Sequence, residues 1–207
     1  MKVLNLYAGL GGNRKNWTGC HVTAVEANPE IAAVYQRLHP DDQVVVGDAH
    51  AYLLANHDKF DFVWSSPPCQ SHSKMVKATR HDVRKYPEMK LYEEIIFLQN
   101  FFGGNWVVEN VVPYYKPLID AQKIGRHLFW ANFLILAEDV KRPSGFINKS
   151  NTEGKRALQD WLGIHFKENI YYDGNHCPAQ ILRNCVHPHL GEQVYNCGIM
   201  AQQEHTT

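Results

Sequence analysis

Five short runs of apolar, often β-branched residues punctuate the first two-thirds of the chain, at 3–6, 21–25, 43–46, 60–65 and 106–108. Several are apolar at nearly every position, as strands covered on both faces of a parallel sheet must be. Between them the period lengthens. Residues 29–38 open on Pro29, suited to a first helical position, and 49–56 follow Asp48, a good N-cap side chain. Residues 88–102 carry Leu91, Ile95, Leu98 and Phe102 at helical spacing. Strand and helix alternate, which predicts an α/β fold: a doubly wound, Rossmann-like sheet with helices on both faces. Ligands of such sheets sit at the carboxyl ends of the strands.

Beyond Arg126 the rhythm changes. Residues 127–136 read as a strand or strand pair, and 141–154, polar and interrupted by Pro143, Gly145 and Gly154, as a loop or very small subdomain. Residues 156–162 predict a helix stopped by Gly163. From His187 onward one more short helix is expected, ahead of a polar, frayed end.

The 207 residues suffice for one domain with a small appendage, and 44% apolar with 20% charged is ordinary for a soluble globular chain. No apolar run nears the ~20 residues that span a bilayer, so no membrane partner is expected. The opening run leads straight into a glycine turn and lacks the features of a signal peptide. Five cysteines, odd in number and irregularly spaced, argue against a disulfide framework. These features point to a cytoplasmic protein, in a bacterium or a virus-infected host cell, and to a monomer. Cys177, Cys185, His187, His189 and Cys197 lack paired Cys-x-x-Cys spacing, so no metal site is expected.

The formal net charge is zero, which argues weakly against a polyanionic partner. One local cluster, Lys74, Lys77, Arg80, His81, Arg84, Lys85 and Lys90, runs the other way. Charge runs are usually solvated helix faces. This one directly follows a cysteine motif, which raises its interest.

The chemistry begins at Tyr7-Ala-Gly-Leu-Gly-Gly12, directly after the first strand, where glycines let the backbone turn tightly and approach a cofactor. The second strand ends in Glu26, placed to accept from ribose hydroxyls, and Asp48 follows the third. Acids at consecutive strand tips suggest a ligand containing adenosine, although each also suits a helix cap. After the fourth strand comes Ser65-Ser-Pro-Pro-Cys-Gln70, whose prolines hold Cys69 rigidly beyond the sheet edge. A thiolate is the nucleophilic form, and the basic cluster or a helix N-terminus is expected to lower the Cys69 pKa. The next strand ends in Val107-Val-Glu-Asn-Val111, which brings Glu109 into the same cleft.

These three segments, in this order, resemble the cofactor loop, nucleophile loop and acid motif of DNA cytosine-5 methyltransferases. Two fainter likenesses accompany them. Gln122-Lys-Ile-Gly-Arg126 resembles a Gln-x-Arg-x-Arg motif with Ile124 in place of the first arginine, and Arg183-Asn-Cys-Val186 resembles Gly-Asn-x-Val with arginine for glycine. The resemblance implies a catalytic domain over 1–133, a reduced target-recognition region over 134–155, and a C-terminal segment, 156–207, that returns to the catalytic domain.

It also implies S-adenosyl-L-methionine as cofactor, held by Tyr7, Ala8, Gly9, Leu10, Gly11, Gly12, Glu26, Ala27, Asp48, Ala49, Pro67, Leu91, Asn184 and Val186. DNA carrying a target cytosine would be the partner. Cys69 would add to C6 of the flipped-out base, Glu109 would bind N3 and the exocyclic amine, and Arg126 the carbonyl or adjacent phosphate. DNA contacts would come from Gln70, Ser71, Ser73, Lys74, Lys77, Arg80, Arg84 and Lys85, and from Lys141 and Arg142. So short a recognition region implies a dinucleotide-like or relaxed context. The same chemistry would serve an RNA cytosine or a free nucleotide, and the same fold a non-catalytic cofactor-binding protein.

Overall fold

The computed structural model describes residues 1–73, 86–142, 151–171 and 177–204. Seven strands, β1 (Lys2–Leu6), β2 (His21–Glu26), β3 (Gln43–Val46), β4 (Phe62–Ser65), β5 (Asn105–Val111), β6 (Gln122–Ile124) and β7 (His127–Ala131), form one sheet in the order β3-β2-β1-β4-β5-β7-β6. The first five are parallel, β7 is antiparallel to β5, and β6 is antiparallel to β7. The fold is thus α/β, a doubly wound Rossmann-like sheet with a reversed hairpin at one edge. Order reverses at β1, which lies between β2 and β4, so a crevice opens beyond the carboxyl ends of those strands.

Alternation along the strands divides the apolar side chains between two faces. Leu4, Leu6, Val63 and Val108 pack against Leu53 of α2 (Ala49–Asn56) and against Leu91, Ile95 and Leu98 of α3 (Lys90–Phe101). Val3, Val22, Phe62, Trp64 and Val107 face the other way, onto Leu190, Val194 and Tyr195 of α6 (Pro188–Glu204). Trp106 and Trp130 are core residues, as the sequence suggests. Burial of each large apolar side chain is worth roughly 1.5–3 kcal/mol. Helix α1 (Pro29–Leu38) starts where the Asn28 side chain accepts from Glu30 N and Ile31 N, with Pro29 inside the first turn.

The C-terminal part differs most from expectation. Helix α6 runs seventeen residues rather than one short stretch. Trp17 stacks on Tyr195 and donates its indole N–H to Gly191 O at 3.1 Å. The helix expected over 156–162 begins earlier, as α4 (Asn151–Leu162), so the end of the 141–154 loop is helical. Leu158 and Leu162 of α4 and Ile181 and Leu182 of α5 (Gln180–Arg183) pack with Leu10 and with Ile31 and Val34 of α1. The strand expected over 127–136 ends at Ala131, and its partner precedes it as β6. No helix among the described residues is long and apolar enough to cross a membrane.

Candidate active site

A cavity of about 800 Å³ opens at the carboxyl ends of β1, β2, β4 and β5. Its walls include Tyr7, Ala8, Gly9, Leu10, Gly12, Glu26, Ala27, Asp48, Ala49, Pro67, Leu91, Asn184 and Val186, together with Cys69, Gln70, Ser71, Glu109 and Arg126. Lining residues from the first loop, the nucleophile loop, β5, the β6–β7 turn and the C-terminal segment therefore meet in one place. Gly11, Ser73, Lys141 and Arg142 lie outside this lining. Lys74, Lys77, Arg80, Arg84 and Lys85 lie outside the described residues.

The first loop leaves β1 through Tyr7, at φ +54° the one non-glycine with a left-handed backbone among the described residues. Its hydroxyl donates to Glu94 at 2.6 Å. Burial and then the Glu94 charge hold that hydroxyl well above the ordinary phenol range. Two glycines have different tasks. A Cβ on Gly12 would meet Val186 O at 2.5 Å, so glycine there lets the C-terminal segment close on the loop. A Cβ on Gly11 would instead meet His39 and Tyr35, so Gly11 serves the packing against α1 and not the cavity wall as expected.

Both acids at the strand tips are tied to backbone. Glu26 Oε2 accepts from Gly9 N at 3.0 Å and Oε1 from Asn28 N at 2.9 Å, which fixes the carboxylate at the cavity wall. Asp48 Oδ1 accepts from Ala51 N at 2.7 Å as the N-cap of α2, and the same residue lines the cavity. Cap and wall coincide.

The nucleophile loop is held from several sides. Ser65 Oγ donates to Glu94 Oε2 at 2.6 Å, Asn110 Nδ2 donates to Pro67 O at 3.0 Å, and Cys69 O accepts from both His72 N and Ser73 N. Ser73 forms a bridge with Pro113, and Ser71 Oγ accepts from Glu88 N. Cys69 itself is half-buried. Contrary to expectation, its thiol pKa is raised: burial contributes most and the Glu109 charge adds to it, while Arg126 opposes both. Of the two charges that act on the sulfur, the acid outweighs the arginine.

Glu109 is buried, with Oε1 2.5 Å from His127 Nδ1. Arg126 Nη2 donates to the carbonyls of Arg183 (3.2 Å) and Cys185 (3.1 Å), which ties the β6–β7 turn to the C-terminal segment. Arg142 turns inward rather than outward. Its Nη2 donates to the same Arg183 carbonyl at 2.8 Å, its guanidinium lies 5.5 Å from the Trp161 ring centroid, and its Nε is buried without a partner. Burial, then repulsion from Arg126 and Arg183, pushes its pKa down to about 10. Lys141 is exposed.

Sequence reasoning passed over His127, Glu94 and Asn110. His127 directly follows Arg126, and Glu109 stands opposite Phe129 in the β5–β7 register, so the two share a face diagonally. That signal needs the register first. Among the described residues no three His, Cys, Asp or Glu side chains converge as a metal site.

The model of the C-5 cytosine-specific DNA methylase family matches residues 1–112, more than half of the chain. The chain belongs to that family. Family membership makes it a methyltransferase whose cofactor is S-adenosyl-L-methionine, and the glycine loop, Glu26 and Asp48 around the cavity fit such a ligand. No curated protein matches the chain. Among solved structures, this family member is similar to a hypothetical protein from Thermus thermophilus, at 17% identity and TM-score 0.43, covering 67% of this chain and 75% of that one. It is also similar to a DNMT2 mutant from Spodoptera frugiperda (22% identity, TM-score 0.39, 53% of this chain and 35% of that one). A SAM-dependent methyltransferase from Agrobacterium tumefaciens matches at 15% identity and TM-score 0.38, over 56% of this chain and 40% of that one.

Proposed function

We propose that the protein methylates C5 of cytosine in DNA, with Cys69 as covalent nucleophile. One observation carries the reading: Cys69, Glu109 and Arg126, from three separate segments, line the same cavity as the glycine loop, Glu26 and Asp48. When bound, S-adenosyl-L-methionine supplies an electrophilic methyl group. Cytosine C5 is too weak a nucleophile to take it unaided. Addition of the Cys69 thiolate to C6 makes C5 nucleophilic; after C5 gains the methyl, loss of its proton expels the thiolate and restores the ring. Glu109, carrying a proton when the base is bound, donates it to N3 and accepts from the exocyclic amine as negative charge grows on the ring, and Arg126 binds the carbonyl or the neighbouring phosphate. A stacked base is out of reach, so the target must flip into the cavity.

The arginines support a polyanionic substrate over a free base. Arg126, Arg142 and Arg183 gather at the C-terminal segment, and no carboxylate stands within ion-pair distance of them among the described residues. A backbone phosphate would balance that charge. The described part of 134–155 is tied to the scaffold at three points. Ile135 N donates to Gln122 Oε1, Glu138 N to Gln193 Oε1, and Arg142 to Arg183 O. So short a region favours a short or relaxed sequence context, with 1–133 as the catalytic unit, 134–155 the reduced recognition region and 156–207 the returning segment.

The test is transfer of labelled methyl to unmodified duplex DNA by wild type and Cys69→Ser, with modified positions read at base resolution. Cytosine C5 methylation that vanishes in the variant supports the reading. Methyl transfer to RNA or to a nucleotide but not to DNA would replace it, and methylated positions defined by a long site would remove the short context.

A further inference from the structure

We infer that Glu94 is a positioning residue for this site, one buried carboxylate that fixes the cofactor loop and the nucleophile loop to the same helix. The inference rests on the proposed roles of those two loops.

Glu94 lies on the face of α3 that carries Leu91, Ile95 and Leu98, and its exposure is 0%. An apolar residue there would pack at far less cost, because a buried carboxylate needs compensating hydrogen bonds for every contact with water it gives up. The bonds it makes divide by function. Oε1 accepts from the Tyr7 hydroxyl at 2.6 Å and lies 3.2 Å from His50 Nδ1; Oε2 accepts from Ser65 Oγ at 2.6 Å. Tyr7 begins the glycine loop and lines the cavity, and His50 stands two residues past Asp48, in the first turn of α2. Ser65 ends β4, four residues before Cys69. One oxygen therefore serves the cofactor side and the other the nucleophile side.

Tyr7 adds an independent reason. A left-handed backbone at a non-glycine residue carries strain and persists only where its surroundings over-determine it. The hydroxyl bond to Glu94 is the restraint that holds this ring direction. A phenylalanine would fill the same space but could not be held in that way. A core polar staple with no bearing on the site would have no cause to divide its bonds between the two loops.

The experiment uses Tyr7→Phe, Ser65→Ala, Glu94→Gln and the double variant Tyr7→Phe/Glu94→Gln. Cofactor Kd is measured by calorimetry with S-adenosylhomocysteine in the absence of nucleic acid, and kcat by methyl transfer. Each lost hydrogen bond to a buried carboxylate is expected to cost about tenfold. Tyr7→Phe should weaken cofactor binding about tenfold. Ser65→Ala should lower kcat about tenfold and leave Kd unchanged, and Glu94→Gln should do both. The double variant should bind cofactor within about twofold of Glu94→Gln alone, since both changes break one bond. Additive losses in the double variant, or wild-type Kd and kcat in Glu94→Gln, would overturn the inference.

If Glu94→Gln fails to fold, Tyr7→Phe and Ser65→Ala still decide: folded proteins with unchanged Kd and unchanged kcat sink it. A wild type that transfers no methyl to any cytosine defeats the proposed function. The Kd arm and the rate of Cys69 alkylation in Ser65→Ala would then still judge the role of Glu94.

Discussion

His127 Nδ1 lies 2.5 Å from Glu109 Oε1, and both side chains are buried at the end of the β5–β7 pair. The direction of this hydrogen bond depends on the His127 tautomer, and the contact fixes the rotamer of the carboxyl that meets N3 in the proposed reaction. Loss of the contact frees the carboxyl to turn, and misplacement by about 1 Å costs on the order of 10²-fold in rate. His127→Ala is therefore expected to lower kcat by about 10- to 100-fold while cofactor Kd, measured by calorimetry, stays at its wild-type value. Unchanged kcat would show that Glu109 is held by its strand alone.

Cys69 offers a prediction with a definite sign. Burial and the Glu109 charge raise its pKa, so the protein without substrate holds it as the thiol. Below a raised pKa the thiolate fraction climbs about tenfold per pH unit, and alkylation by iodoacetamide should follow that slope from about pH 7 to 9. At fixed pH, Glu109→Gln should accelerate alkylation by removing a negative neighbour, and Arg126→Ala should slow it by removing the opposing charge. Peptide mass spectrometry keeps Cys69 separate from the other four cysteines. A flat profile already fast at pH 7 would mean that the thiolate forms in the free protein and that the acid does not govern it.

The arginine cluster makes a salt-dependent prediction. Each phosphate contact steepens the fall of log K for duplex DNA against log[salt] by about 0.9. Arg183→Ala should make the slope shallower by about one, with cofactor Kd unaltered. An unaltered slope with weakened cofactor binding would assign the cluster to the cofactor carboxylate instead.

What was legible in the sequence follows from what makes each element. Val3, Leu4, Phe62, Val63 and Trp64 show as strands because both faces of the sheet are covered, so an apolar run survives without alternation. The three motif segments were legible because chemistry constrains them locally, and their residues line one cavity. β6, three residues of Gln122-Lys-Ile, has no period of its own and exists by pairing with β7. Helix α6 looks polar in sequence. It is long because Trp17, Phe62 and Phe133 meet it from distant segments, a packing no local pattern encodes. Glu94 was missed for a related reason: an acid among helical apolar positions reads as solvent-facing until Tyr7 and Ser65 are known to surround it. The Cys69 pKa went the other way from expectation because burial dominates it and the charge of Glu109, on the adjacent strand, adds to that, and neither is visible in the residues around Cys69.

The contact of α6 with the glycine loop gives the last prediction. A Cβ on Gly191 would overlap Asn13 O and come within 2.6 Å of Asn13 Cα. These are backbone atoms and cannot swing aside as a flexible side chain would. Gly191→Ala must therefore push α6 off the loop or bend residues 9–13, and overpacking of this kind costs about 1–3 kcal/mol. The same displacement would strain the Trp17 bond to Gly191 O and the Asn13 Nδ2 bond to Asn5 Oδ1, which anchor the loop beside β1. Gly191→Ala is accordingly expected to lower Tm and to weaken cofactor binding together. Gly103→Ala, where an added Cβ meets nothing within 4 Å, should change stability by no more than about 0.5 kcal/mol and leave binding alone. A lowered Tm with wild-type cofactor Kd would mean that α6 supports the sheet without shaping the loop, and the C-terminal segment would then count as scaffold only.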